Sequence, residues 1–133
     1  MAETSAPATV PGPGRLTYAA AVANLLLVGL YLVGTVGRHA YLAGKYGWDS
    51  LDASHDPKDV LFTGPLLILH VLVVIVALLG WLVIVPLSAW SAMAAVAARR
   101  AHPLLVASAL SGVVYLAVNL SPYGDRLRVW LLD

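Results

Sequence analysis

His70 is the residue of this chain whose type and position best suit it to chemistry. It lies in a stretch, 60–98, that holds no Lys, Arg, Asp or Glu. An ionisable ring in such surroundings is either a functional ligand or a group held by hydrogen bonds from its neighbours. As a ligand it would offer an imidazole nitrogen to haem iron or to another metal. As a neutral ring it needs a partner on an adjacent helix. Tyr31, Tyr115 and Asn119 fall at similar depth if the apolar runs pack antiparallel, so a tyrosine hydroxyl or Asn119 is its expected partner. Asn24, in the middle of the first apolar run, adds a buried amide, a group that bonds across helix interfaces at ~0.6–2 kcal/mol. Asn24, Tyr31, His70, Tyr115 and Asn119 therefore read together as a polar network inside the membrane.

A second constellation is Asp52, His55, Asp56 and Asp59. On a continuous helix these residues would share a face and offer nitrogen and oxygen to a divalent metal. Pro57 interrupts that helix, and aspartates at such spacing also serve as turn formers and helix caps. On the third apolar run, Ala107/Ser111 and Ser108/Gly112 form small-residue pairs four apart, the spacing that lets another helix approach closely. The nucleophile and phosphate motifs G-x-S-x-G, H-E-x-x-H and the Gly-rich phosphate loop are absent from the sequence, and these are the patterns that would point to hydrolase, zinc-peptidase or nucleotide chemistry. No Asp or Glu lies in an apolar run, which weighs against a proton-driven transporter built on a membrane carboxylate.

These residues are carried by an unusually apolar chain. Of its 133 residues 60% are hydrophobic and 11% charged, against about 25% charged in soluble domains. The net charge of +1 and the scattered basic residues supply no basic patch for nucleic acid. The chain has no cysteine, which excludes disulfides and thiolate-ligated haem or iron–sulfur clusters. Segments 16–37, 60–98 and 101–124 are free of Lys, Arg, Asp and Glu. Each is long enough to cross a hydrocarbon core of ~30 Å, which takes roughly 20 apolar residues.

The expected architecture is an all-α integral membrane protein with three transmembrane helices. They run at about 16–37, at about 65–86 with a helical extension to about 98, and at about 103–120. Residues 1–14 read as a flexible Pro/Gly-rich tail and 15–133 as a single transmembrane helical domain. The first run has no basic leader and is too long for a signal-peptide core, so it reads as a retained span. Residues 38–59, with Tyr41, Tyr46 and Trp48, form an interfacial loop. Pro57 and Pro65 offer competing helix starts, and Pro86 is the expected bend. Three Lys or Arg fall on one side of this layout and five on the other, which does not fix the orientation.

The first functional reading is a small non-catalytic membrane protein. It would act as a subunit or scaffold that packs against itself or a larger membrane partner, as a homo-oligomer or within a larger complex in the lipid bilayer. The second is a redox or metal- or haem-binding membrane-anchor subunit using His70. In layout, a three-span chain with a histidine in its second span is similar to the membrane-anchor subunits of succinate dehydrogenase and fumarate reductase. Some of those anchors carry an Asp-Tyr pair after the histidine; the corresponding position here is Trp81-Leu82, and the likeness stops at the layout. The third is a small transporter or pore lined by Asn24, Thr35, His70, Ser108, Ser111 and Asn119. No cofactor is identified by the sequence.

Overall fold

A computed structural model describes residues 12–50, 64–98 and 102–132. Every regular element among them is helical. Helix α1 (Arg15–Leu32) passes through a π-helical turn, Val33–Gly37, into α2 (Arg38–Tyr46). A 3-10 turn at Gly64–Leu66 leads into α3 (Leu67–Leu79), followed by α4 (Trp81–Ala97), α5 (Pro103–Asn119) and α6 (Pro122–Leu132). The expected tail up to residue 11 and the helix start around Pro57 lie outside the described residues.

The rod from Arg15 to Tyr46 is 32 residues, about 48 Å at 1.5 Å per residue, and its most apolar 18-residue stretch has a mean hydropathy of 2.0. It is the one described helix long and apolar enough by itself to cross a membrane. The α3–α4 pair is bent by 72° and the α5–α6 pair by 76°, so the number of such segments rises to three only if each bent pair is one span. Helices α4 and α5 are 17 residues each, about 25 Å, which is short of a ~30 Å core without their bent extensions.

Helices α1, α4 and α5 form the main bundle, while α3 and α6 fold across its far end and touch each other, α3 also packing against α1 and the π turn. Packing at the crossings depends on small residues. A Cβ at Gly34 would collide with the Val73 side chain, and one at Gly112 with Ser88 Oγ. In a lipid solvent, where the tails are as apolar as leucine, such close approach and buried hydrogen bonds replace the hydrophobic effect as the source of helix association. The buried apolar set includes Val28, Tyr31, Val73, Ile84, Tyr115 and Trp130.

Three features differ from expectation. Residues 38–46 are not loop but helix α2, with Arg38, His39 and Leu42 buried and Tyr41, Lys45 and Tyr46 exposed. The amphipathic pattern carries the helix past the apolar run, and Gly47, at φ 96°, ends it. Second, the bend lies at Gly80, and Pro86 sits inside α4. A Cβ at Gly80 would meet the Val76 carbonyl. The carbonyls near the bend find side-chain donors there: Tyr115 Oη donates to Val76 O at 2.9 Å and Asn119 Nδ2 to Ala77 O at 3.1 Å. Helix breaks persist where the released backbone groups are re-paired. Third, the C-terminal segment from Tyr123, which the sequence reads as a tail returning to the surface with Trp130, Leu131 and Leu132 against headgroups, is part of a helix, α6, with Trp130 and Leu131 buried. Ser121 Oγ accepts from Gly124 N at 3.0 Å and Pro122 takes the first helical position, the usual start signals.

Candidate functional site

The polar side chains fall into separate clusters stacked along α1. The first is at Asn24, in the centre of the main bundle. Its Nδ2 lies 2.9 Å from Ser88 Oγ, 3.0 Å from both Ser108 O and Ser108 Oγ, and 3.5 Å from Ser111 Oγ. Ser91 and Ser108 hydroxyls are 2.9 Å apart. One amide with two hydrogens thus ties α1 to α4 and α5 together. Its Oδ1 has no hydrogen-bond partner among the described residues. Of the small residues singled out on α5, Ser108 and Gly112 are buried and Ser111 half-buried, whereas Ala107 faces outward.

The second cluster joins the two elbows. The rings of Tyr31 and Tyr115 meet edge to face, with centroids 4.8 Å apart. Asn119 donates to the Ala77 carbonyl at 3.1 Å, and the Arg128 guanidinium donates to both the carbonyl and the Oδ1 of Asn119. A cation at the C-terminal end of α5 suits the negative end of the helix dipole. Arg128 also pairs with Asp125.

The third cluster lies where α1 passes into α2. The π turn places both Arg38 and His39 inside, and single π turns recur at functional sites. Arg38 is fully buried. Its Nη1 donates to the Gly34 carbonyl at 3.3 Å and to His70 Nδ1 at 3.1 Å, and its guanidinium carbon stands 5.4 Å from the centre of the Trp130 ring. A guanidinium only donates, so His70 Nδ1 accepts, and a neutral His70 carries its proton on Nε2. A ring in that state has no lone pair free for a metal. His39 Nε2 donates to the Trp48 carbonyl at 3.1 Å, and the neutral ring accepts from Tyr123 O–H at Nδ1, 2.6 Å away.

The five residues expected to form one network are therefore distributed among these clusters. Asn24 pairs with serines. Tyr31, Tyr115 and Asn119 gather at the elbows. For His70, where a tyrosine hydroxyl or Asn119 was expected, Arg38 supplies a hydrogen bond to Nδ1. Asp52, His55, Asp56 and Asp59 lie outside the described residues, and the described residues contain no group of three or more His, Cys, Asp or Glu able to hold a metal. Sequence reasoning missed Arg38, Ser88, Ser91 and Arg128. Arg38 follows the apolar run directly and reads as a span-end marker. Ser88 and Ser91 lie beyond Pro86, in a segment read as a helical extension near the interface. No family model, curated protein or solved structure significantly matches this chain.

Proposed function

We propose that this chain is a small non-catalytic integral membrane protein that crosses the bilayer three times and serves as a subunit or scaffold for itself or a larger membrane partner. One observation carries the reading: among the described residues, most polar side chains inside the bundle bond to other groups of the same chain, with Asn24 Oδ1 and Tyr31 Oη the exceptions in the bundle core, while the outward faces are apolar. Leu72, Leu79, Val83, Met93, Leu110 and Val113 are all exposed. In water this surface would be an aggregation patch; in lipid it is ordinary. A pore would need its polar residues free along an axis, and here Asn24, Ser108 and Ser111 bond to one another.

The two ends support a placement. At one, the Tyr18 ring packs against the His102 ring with centroids 4.9 Å apart, near Arg15. At the other, Tyr41, Tyr46 and Trp48 are exposed and Arg126 stands 3.9 Å from Asp49. Residues 15–38 cover roughly 35 Å of helix, close to the ~30 Å hydrocarbon thickness. Arg38 and His70 then sit at the edge of the core, where a cation costs far less than at the midplane. Helix α6, with Asp125, Arg126 and Arg128, lies in the headgroup layer.

The absence of native cysteine makes the test direct. In sealed vesicles the protein should resist alkaline extraction. Single cysteines at Gly14 and His102 should react with a membrane-impermeant maleimide from one side, and those at Asp49 and Arg126 from the other. Labelling of all four from one side would reject the three-span arrangement.

A further inference from the structure

Between the two elbows lies a cleft of about 280 Å³. Ala77, Leu116 and Leu120 give it apolar walls, and Trp81, Asn119 and Arg128 line it beside them. Among the described residues Arg128 is the only charged one lining the cleft, and no carboxylate lines it. Of the five guanidinium N–H donors, both on Nη1 go to Asn119 and one on Nη2 goes to Asp125. The Nε–H and the second Nη2–H have no partner among the described residues. The Arg128 side chain is 26% exposed, so these donors belong to a group that is mostly enclosed.

We propose that this cleft holds one phospholipid of the surrounding bilayer, its phosphate accepting from Arg128 and one acyl chain lying along the Ala77, Leu116 and Leu120 walls. The assignment rests on the membrane-embedded reading above. The cavity is near the lower end of the ~300–1,000 Å³ range of small-ligand sites, enough for part of a chain but not for a whole lipid, whose remainder would stay in the bilayer. An occupant must be apolar along its length and carry acceptor oxygens at one end. Arginine suits phosphate because its planar fork offers paired donors. The cleft also lies beside α6, at the level where headgroups stand in the proposed placement.

The test uses the full chain. Flotation with liposomes comes first; protein that stays with the aqueous phase rejects the membrane reading and the lipid site with it. Protein that floats is taken into mild detergent and titrated with phosphatidylglycerol, with diacylglycerol and with inorganic phosphate, and bound species are counted by native mass spectrometry. One phosphatidylglycerol per chain is expected, with diacylglycerol bound at least about tenfold more weakly for want of a charge-assisted contact. Arg128→Gln should lose a similar factor. Leu120→Trp, which fills the cleft and leaves Arg128 in place, should weaken binding too, and it carries the test if Arg128→Gln misfolds. Val96→Phe, an exposed change on α4 away from the cleft, should bind as the parent does. Equal retention in parent and Leu120→Trp overturns the proposal. So does phosphate that competes as well as the lipid, which marks an ion site, or a second copy that displaces lipid from the cleft.

Discussion

Arg38 shows how a single side chain is made tolerable where the bundle ends. Burying a guanidinium is costly unless its donors are met, and here a backbone carbonyl, an imidazole nitrogen and the face of Trp130 surround it. His70 therefore acts as an acceptor for Arg38 in this structure, which separates two readings of the histidine. If its role is to accept, His70→Ala should destabilise the protein by about 1.5–3 kcal/mol, the usual worth of a hydrogen bond to a charged group. His70→Gln, whose amide oxygen can accept, should recover most of that. Thermal unfolding in detergent measures both. A haem or metal ligand would behave differently, because glutamine does not replace imidazole, and absorbance would be lost equally in the two variants. Arg38 itself was illegible in the sequence: a basic residue directly after an apolar run has the same signature whether it faces headgroups or turns inward. The π turn that turns it inward leaves no pattern, since its five residues, Val33–Gly37, differ little from the rest of the run.

The helical segments were largely legible because long charge-free runs with Pro or Gly at their ends have few solutions other than a helix, which pairs its own backbone groups, as the proposed lipid setting would require. The start of α5 is the clearest case: Pro103 occupies the first helical position, and His102 Nδ1 accepts from Leu104 N at 3.2 Å. The bend in α3–α4 was not legible, because Pro86 is the stronger local signal and only tertiary partners decide otherwise. Those partners are Tyr115 and Asn119, which take the carbonyls of Val76 and Ala77. It follows that Pro86→Ala should leave the elbow intact and change stability by no more than about 1 kcal/mol, the scale of a surface-facing change without a packing role. Gly80→Val should cost more, about 1–3 kcal/mol or above, because its Cβ has no space beside the Val76 carbonyl. Unfolding of the two variants side by side checks the order; a more damaging Pro86→Ala would move the hinge back to the proline. The same dependence on tertiary context hid Ser88 and Ser91, which became part of the Asn24 cluster only because α4 runs back along α1 instead of leaving along the surface.

For the whole molecule, the question is whether one chain closes its own bundle. Asn24 on α1 bonds to Ser88 on α4 and Ser108 on α5, but residues 51–63, which join α2 to α3, lie outside the described residues. The α4–α5 hairpin would make the same contacts if it were exchanged between two copies, a low-cost route to a dimer. A scaffold that packs against itself could be built either way, and the two differ in what a cross-link joins. With no native cysteine, Tyr18→Cys/His102→Cys and Asp49→Cys/Arg126→Cys each place one pair at opposite ends of the bundle, where the parent residues touch or form an ion pair. A short bis-maleimide should join both pairs within one chain, giving a cross-linked species of monomer mass on a denaturing gel. Two differently tagged copies reconstituted together should then not be linked to each other. Dimer-mass product from both pairs, carrying both tags, would show instead that the hairpin belongs to a neighbouring chain, and the unit that sits in the bilayer would be the pair of chains. The small-residue contacts at Gly34 and Gly112 would be made in either arrangement. Each admits its neighbour, Val73 or Ser88, at a distance that no side chain at the glycine would allow, so they hold the packing together whichever chain supplies it, and the mass of the cross-linked product decides between the two.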